Sequence, residues 1–64
     1  MGNKIKQCRK SMGMTQAVLA EKSRVSRAII SGLESGRTTT TTTATLQKIA
    51  DALEKEIGEI FFSS

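Results

Sequence analysis

Apolar side chains recur in this chain at steps of three and four residues, the spacing that places them on one face of a helix. The first group of this kind contains Ile5, Cys8 and Met12, and Gly13 follows directly after it. Glycine commonly ends helices because it adopts the left-handed conformation at low cost. The pattern therefore predicts a first helix between Asn3 and Met12 that stops at Gly13.

A second helix is predicted from Gln16 to Lys22. Thr15 precedes it, and a threonine hydroxyl at this position accepts a hydrogen bond from a backbone N–H of the first turn. Leu19 and Ala20 are the apolar residues that we expect to face inward. A short break at Ser23–Arg24 separates this helix from the next element.

The next segment carries the signals of a third helix. Val25 is an apolar residue directly before an N-cap candidate, Ser26, and such a residue often packs against the first turn. Ile30 and Leu33 continue the apolar face, and Gly36 ends the pattern. A tight turn joins the second and third helices, and apolar contacts are predicted to fix the angle between them, from Leu19, Val25, Ile30 and Leu33.

A run of six threonines, Thr38–Thr43, follows the third helix. The threonine hydroxyl competes for backbone hydrogen bonds, so the run is predicted to be a loop, with Thr42 or Thr43 capping the next helix. The fourth helix has the most regular apolar pattern, at Leu46, Ile49, Ala50 and Leu53. A short fifth helix is predicted from the apolar residues Ile57, Ile60 and Phe61. The fold class is therefore predicted to be all-α, with five short helices.

The chain has 64 residues, so residues 1–64 are predicted to form a single small domain. One cysteine, Cys8, and no histidine provide neither a disulfide within the chain nor the ligands of a zinc site. The sequence also has no glycine-rich phosphate loop and no carboxylate pair set against a base, so we expect no enzymatic activity, cofactor or metal. Its apolar runs are far shorter than the ~20 residues of a membrane span, which favours a soluble, cytoplasmic protein.

Charge is distributed unevenly along the chain. Residues 1–43 contain eight basic and two acidic side chains, whereas residues 44–64 contain two basic and four acidic ones. A basic body with an acidic end is typical of a protein that binds a polyanion on one side. A few net charges also keep any small protein soluble, so charge alone leaves both interpretations open. RNA is disfavoured because the only aromatic residues are two phenylalanines at the C-terminus, and base stacking requires exposed aromatics.

Three segments carry a resemblance to a known family. They are MTQAVLAEKS, VSRAIISGLESGR and ATLQKIADAL, and EIF follows near the C-terminus. In order and spacing they resemble the lambda repressor/Cro family of helix-turn-helix proteins, also called Xre-type, over about residues 3–62. The resemblance implies a compact five-helix, lambda-repressor-like domain whose helix-turn-helix spans about residues 16–35. It also implies a sequence-specific DNA-binding protein that inserts its third helix, residues 26–35, into the major groove.

The resemblance assigns the exposed side of the third helix to the base edges of double-stranded DNA. Arg27 is the best candidate for direct readout, since its planar guanidinium can donate two hydrogen bonds to guanine N7 and O6. Contact with a phosphate, or simple solvation of the helix, is the alternative role of this arginine. Ala28 can pack on a thymine methyl group. The predicted base-contacting set is Ser26, Arg27, Ala28, Ser31 and Gly32.

A second set of residues corresponds to the family's contacts with the DNA backbone. Gln16 resembles its phosphate-anchoring glutamine at the start of the second helix, where backbone N–H groups also favour an anion. Its alternative role is that of an ordinary polar first-turn residue. Arg37 resembles the basic residue that holds the backbone beyond the third helix, and the predicted phosphate-contacting set is Thr15, Gln16, Arg37, Thr38 and Thr39. Arg9 and Glu34 correspond instead to a structural ion pair of many relatives, so Arg9 is not expected to contact DNA.

The chain departs from the family pattern at the turn between these helices. Relatives usually have glycine where this chain has Arg24, and a side chain in the left-handed conformation costs of order 1 kcal/mol. Ser23 replaces the usual apolar residue before it. Gly32 removes a side chain that often reads bases, so DNA shape is expected to carry more of the specificity. The proline common after the third helix is absent, and the threonine run takes its place.

A domain of this size contacts few base pairs, so the resemblance implies a homodimer on a palindromic operator, with half-sites about one helical turn apart. Phe62 and the C-terminal region are the predicted pairing surface, and folding of Phe62 onto its own domain is the alternative. The protein is expected to be a Cro-like repressor, bacterial or phage-encoded and associated with the nucleoid, with no small-molecule ligand. The alternative function is an antitoxin-like or adaptor module on the same fold, whose main partner is a protein.

Overall fold

Short polar side chains and glycines mark the helix ends in a computed structural model of the protein, which describes residues 3–37 and 41–62. These described residues form five helices and no strand: α1 (Ile5–Ser11), α2 (Gln16–Ser23), α3 (Arg27–Ser35), α4 (Thr43–Ala52) and α5 (Gly58–Phe62). The last of them is a single π-helical turn. The predicted all-α architecture of five short helices is confirmed.

Three hydroxyl groups cap helix N-termini. The side-chain oxygens of Thr15, Ser26 and Thr42 accept hydrogen bonds from the backbone N–H three residues further on, at 3.1, 3.2 and 3.2 Å. Each bond satisfies one of the N–H groups that the first turn of a helix leaves without a backbone partner. At the other ends, Gly13 makes the turn after α1 with φ +70° and Gly36 terminates α3 with φ +82°. Both are left-handed conformations that glycine adopts without strain.

The hydrophobic core draws on all five helices. α2 packs against α3 and α4, and α1 packs against α3 and α5. Six large side chains are fully buried at the centre: Ile5, Leu19, Ile30, Ile49, Leu53 and Ile60. Burying a side chain of this size stabilises a fold by roughly 1.5–3 kcal/mol, so this cluster holds the α2–α3 pair against the rest of the domain.

The N-terminal segment is tied to the ends of two other helices. The Asn3 side chain donates from Nδ2 to the Leu33 carbonyl at 3.0 Å, and its Oδ1 accepts a bond from the Ile5 N–H at 3.1 Å. The Lys4 N–H donates to the Ile60 carbonyl at 3.0 Å. The start of α1 is therefore fixed against both α3 and α5.

Two boundaries differ from the prediction. α1 ends before Met12, whose side chain is exposed in the turn, and Met14 is buried instead. The left-handed Gly13 reverses the chain between them, so the helical spacing that predicts an inward Met12 no longer applies. The second difference is at α2, which ends at Ser23 rather than at Lys22. The cap predicted at Thr42 or Thr43 is confirmed at Thr42, and α4 begins at Thr43. The last residue of the threonine run is therefore helical.

Candidate nucleic-acid interface

The turn between α2 and α3 begins at the left-handed Arg24, and the buried Ser23 directly before it ends α2. Arg24 has φ +60° and ψ +29°. The Ser23 side chain is buried, and its Oγ accepts a hydrogen bond from the Val25 N–H at 3.3 Å and donates to the Ala20 carbonyl at 3.5 Å. These bonds explain how a hydroxyl is accommodated at a buried position, since a buried polar group needs partners. The turn thereby sets the angle of α3 against α2.

The first turn of α3 is open to solvent. Ser26, Arg27 and Ala28 are all exposed, as the base-contacting prediction requires. Successive helical residues lie about 100° apart around the axis, so Arg27 and Ile29 flank Ala28 on either side. Among the described residues, the Arg27 guanidinium has no ion pair and no side-chain hydrogen bond. It is therefore available to a group outside the chain.

The second turn of α3 is less accessible. Ser31 is half-buried, and Gly32 is buried. Glycine has no side chain that projects beyond its backbone, so Gly32 presents nothing to a base edge in this structure. The structure thus does not bring Gly32 to the exposed surface predicted for it, and the interface described below does not include it.

A buried ionic network connects α1 to the C-terminal half of α3. Arg9 donates from Nε and Nη2 to the two carboxylate oxygens of Glu34 at 2.8 and 3.1 Å, and from Nη1 to the Met14 carbonyl at 2.7 Å. Only 9% of the Arg9 side chain and 5% of the Glu34 side chain are accessible. The bidentate geometry gives strong, directional bonds. All three guanidinium nitrogens are engaged within the fold, so Arg9 presents no group to an external ligand.

Gln16, the first residue of α2, belongs to the same network. Its Nε2 donates to Glu34 Oε1 at 3.2 Å, and the residue is half-buried. A side-chain amide nitrogen carries two hydrogens, so one remains for a further acceptor while Glu34 fixes the direction of the amide. The residue predicted to anchor a phosphate is therefore oriented by the carboxylate that also binds Arg9.

The ionisation of Glu34 follows from these contacts. Burial raises the pKa of its carboxyl group, but hydrogen bonds from Arg9 and Gln16 and the charge of Arg9 more than offset burial. Lys6 contributes a further lowering, and the net pKa lies below the ordinary value of 4.5. Glu34 is therefore a carboxylate at neutral pH, and its bond with Arg9 is an ion pair.

Arg37 lies just beyond α3 and is exposed. Its Nε donates to the Ser35 Oγ at 3.1 Å, and its backbone N–H donates to the same oxygen at 3.4 Å. This side-chain bond uses one of five N–H donors, so the terminal nitrogens remain available to an acceptor. Three residues that carry further predictions lie outside this description: Thr38, Thr39 and, for its side chain, Phe62.

The hydroxyls of Thr15 and Ser26 perform the capping role predicted for them. Each is exposed and each accepts a backbone N–H as an N-cap. A hydroxyl can accept and donate at once, so the O–H of each residue is still available to a phosphate or a base. Capping also fixes the position of these two side chains at the starts of α2 and α3.

Ile29 is a surface residue that the sequence analysis missed. Its side chain is 38% exposed, although its neighbour Ile30 is fully buried. The signal lies in the pair itself, since adjacent residues of a helix point about 100° apart and only one of them can face a narrow core. Val18, on α2, is 39% exposed in the same way.

Two short helices, α2 and α3, pack together across a short turn, and α3 exposes on its first turn an arginine that has no side-chain partner among the described residues. This arrangement is typical of a helix-turn-helix DNA-binding domain. The chain belongs to the Cro/Xre-type helix-turn-helix family, because the helix-turn-helix model of that family matches residues 5–60. The predicted lambda-repressor-like fold is confirmed, and the family supports DNA binding and transcription regulation. No curated protein matches the chain at a significant level.

The described part of the chain has few features that would indicate a membrane span, a metal site or a reactive cysteine. No helix there has the length and apolar character needed to cross a membrane. Within residues 3–37 and 41–62, no group of three or more His, Cys, Asp or Glu is placed to hold a metal ion. Cys8 is half-buried and packs against the core, which favours a structural role.

Proposed function

We propose that this protein is a sequence-specific transcriptional regulator, a Cro-like repressor that binds a palindromic operator as a dimer through α3. We place it in the bacterial cytoplasm, associated with the nucleoid and encoded by the bacterium or by a phage. The observation that carries the proposal is the exposed Arg27, which has no side-chain partner among the described residues and lies on the first turn of a helix held by the core and the Arg9–Glu34 network. Rigid presentation reduces the ordering cost of binding.

Arg27 is the proposed reader of a guanine. In the major groove guanine presents N7 and O6, to which one guanidinium donates two parallel bonds. Since Arg27 has no side-chain partner among the described residues, no internal bond has to break before it binds. Ser26, Ala28 and Ser31 are the remaining residues of the proposed base-reading surface.

Residues on either side of this surface are assigned to phosphates. Gln16 and Thr15 lie at the N-terminus of α2, where free backbone N–H groups favour an anion. Arg37 lies beyond the other end of α3 with its terminal nitrogens available. Thr38 and Thr39 complete the proposed set. Contacts of this kind position the protein on the duplex, and the base contacts give sequence preference.

The proposed dimer follows from the size of the domain. The described residues extend 24 × 20 × 19 Å, so one copy spans less than one ~34 Å turn of the duplex. Two copies related by a twofold axis would place two α3 helices in successive major grooves of a palindrome. We assign the pairing to the C-terminal region that includes Phe62.

The test is selection of binding sites from a random duplex pool. The affinity of the selected site is then compared with that of scrambled DNA at two salt concentrations. Enrichment of a short palindrome bound by two chains, with about a thousandfold preference over scrambled DNA, is the expected result. Weak binding that enriches no sequence and is lost at high salt would show only nonspecific electrostatic attraction to DNA. The proposed function would then be wrong, and a search for a protein partner would follow.

A further inference from the structure

We propose that Ile29 contacts the 5-methyl group of a thymine in each half-site and so determines one position of the operator; the inference rests on the proposed function. Three large apolar side chains of the described residues are exposed: Met12, Val18 and Ile29. Of these, Ile29 alone lies on α3, at its exposed first turn.

Ile29 is held in one orientation before any ligand arrives. Its backbone N–H donates to the Ser26 Oγ at 3.2 Å, so the N-cap fixes the first turn around it. A β-branched side chain in a helix has one strongly preferred χ1 rotamer. The apolar surface of Ile29 is therefore presented in a defined direction, on the opposite side of Ala28 from Arg27.

The first turn of α3 thus has a cationic side and an apolar side. Thymine is the one base that offers an apolar group in the major groove, its C5 methyl. Ile29 lies two residues from Arg27, which has no side-chain partner among the described residues. Residues 1–43 carry eight basic against two acidic side chains. This charge favours a polyanionic duplex as the occupant rather than the apolar groove of a protein. Ile29 then reads the thymine while Arg27 reads a hydrogen-bonding base edge.

The experiment replaces thymines of the selected site by uracil, one at a time, because this removes the methyl group and leaves every hydrogen-bonding group in place. Burial of one methyl predicts that uracil at one position of a half-site weakens binding of the natural protein about fourfold. Ile29→Ala should bind the thymine and uracil duplexes equally well. Ile29→Val should keep part of the discrimination.

Val18→Ala is the matched control. Val18 is also β-branched, is 39% exposed, and has its backbone N–H capped by Thr15 in the same way as Ile29 by Ser26. This variant should keep the full thymine preference of the natural protein. Because both side chains are exposed, both variants should unfold in urea close to the natural midpoint, which separates loss of contact from loss of fold.

Three results would overturn the inference and leave the proposed function standing. They are a selected half-site without thymine, a site at which no uracil substitution weakens binding, and an Ile29→Ala protein that keeps its thymine preference at every position where uracil weakens binding of the natural protein. Failure to enrich any sequence would instead defeat the proposed function itself. The two failures are therefore distinguishable.

Discussion

Polar side chains at the two ends of α3 differ in their burial and in their hydrogen-bond partners. At the C-terminal end, Glu34 is buried and accepts bonds from Arg9 and Gln16. At the N-terminal end, Arg27 is exposed and has no side-chain partner among the described residues. Arg9 thus holds α3 in the fold, whereas Arg27 makes no side-chain bond to the described residues. The burial and pairing of a basic residue therefore indicate whether it can bind a ligand, whereas the number of basic residues does not.

The largest expected effect is at the buried end. Replacing Glu34 by Gln leaves the Arg9 charge buried without its counter-charge, and breaking a buried pair in this way costs about 3–5 kcal/mol. A domain of this length has a total stability of roughly 3–10 kcal/mol, so Glu34→Gln should lose a large part of its free energy of unfolding. Urea unfolding followed by circular dichroism measures the change.

The double variant Arg9→Met/Glu34→Leu is the control for that experiment. Apolar residues of similar volume strand no charge and often restore stability, so this protein should unfold near the natural midpoint. If the double variant were as unstable as Glu34→Gln, the loss would come from packing rather than from a stranded charge. The Gln16 amide would also lose its acceptor, which makes DNA affinity of the folded double variant a second readout.

Acid should lower the stability that the Glu34 carboxylate contributes at the C-terminal end of α3. The pKa of Glu34 is lowered in the folded protein, so its contribution to stability is fully present above the ordinary value of 4.5 and is lost as the pH falls through the folded-state value. The free energy of unfolding should therefore decline on acidification below that ordinary value. The double variant Arg9→Met/Glu34→Leu should show a flatter dependence over the same range, and equal slopes would contradict the role given to Glu34.

The variant Arg27→Ala tests the role of the exposed N-terminal end of α3. It should reduce affinity for the preferred site by about 1–3 kcal/mol and relax the preference at one base position. Stability should change by less than about 0.5 kcal/mol, because Arg27 is exposed and makes no ion pair or side-chain hydrogen bond among the described residues. Site selection repeated with the variant measures the first effect, and urea unfolding the second. Lys48→Ala, which removes an exposed charge from α4, should leave the selected motif unchanged.

The residues assigned to phosphates should behave differently from Arg27 and from each other. Gln16→Ala removes a neutral donor, so it should weaken all sequences by about 1 kcal/mol without changing the salt dependence. Arg37→Ala removes a charge and should lower the slope of log affinity against log salt by about 0.9 for each bound chain. Affinities measured across a salt series test both, and an altered motif in either variant would contradict a backbone role.

Much of the fold was predictable because it depends on local patterns. The hydroxyl caps at Thr15, Ser26 and Thr42 and the inward faces of the helices follow from residue type and spacing. The end of α1 was predicted less well, because Met12 continues the apolar spacing while Gly13 turns the chain. A periodic pattern indicates where a helix is stable and does not indicate where its last turn unwinds.

The candidate site was predictable only to the level of its elements. Sequence places Gln16 at the start of α2, but its bond with Glu34 joins residues 18 positions apart and depends on how α2 packs against α3. The burial of Gly32 likewise depends on the rotation of α3 against the core. Such rotations are set by contacts between helices, which a single sequence does not reveal.

The smallest expected effect concerns the turn that joins the two halves of the motif. Arg24 has φ +60°, a conformation that costs a side chain of order 1 kcal/mol. Arg24→Gly should therefore raise the free energy of unfolding by about 0.5–1 kcal/mol, since glycine relieves the strain but adds freedom to the unfolded chain. Thermal unfolding should show a rise of several degrees for this size of domain.

Arg24→Ala separates strain from charge in that experiment, because alanine keeps the strained conformation while removing the guanidinium. It should therefore gain no stability, whereas Arg24→Gly should. In DNA binding the two variants should be equal, since both lose the same exposed charge in the turn before α3. If only the glycine variant bound DNA less well, the strained Arg24 backbone would be needed to hold the exposed end of α3 in place. The rigidity of that end would then depend on the turn as well as on the buried Arg9–Glu34 pair.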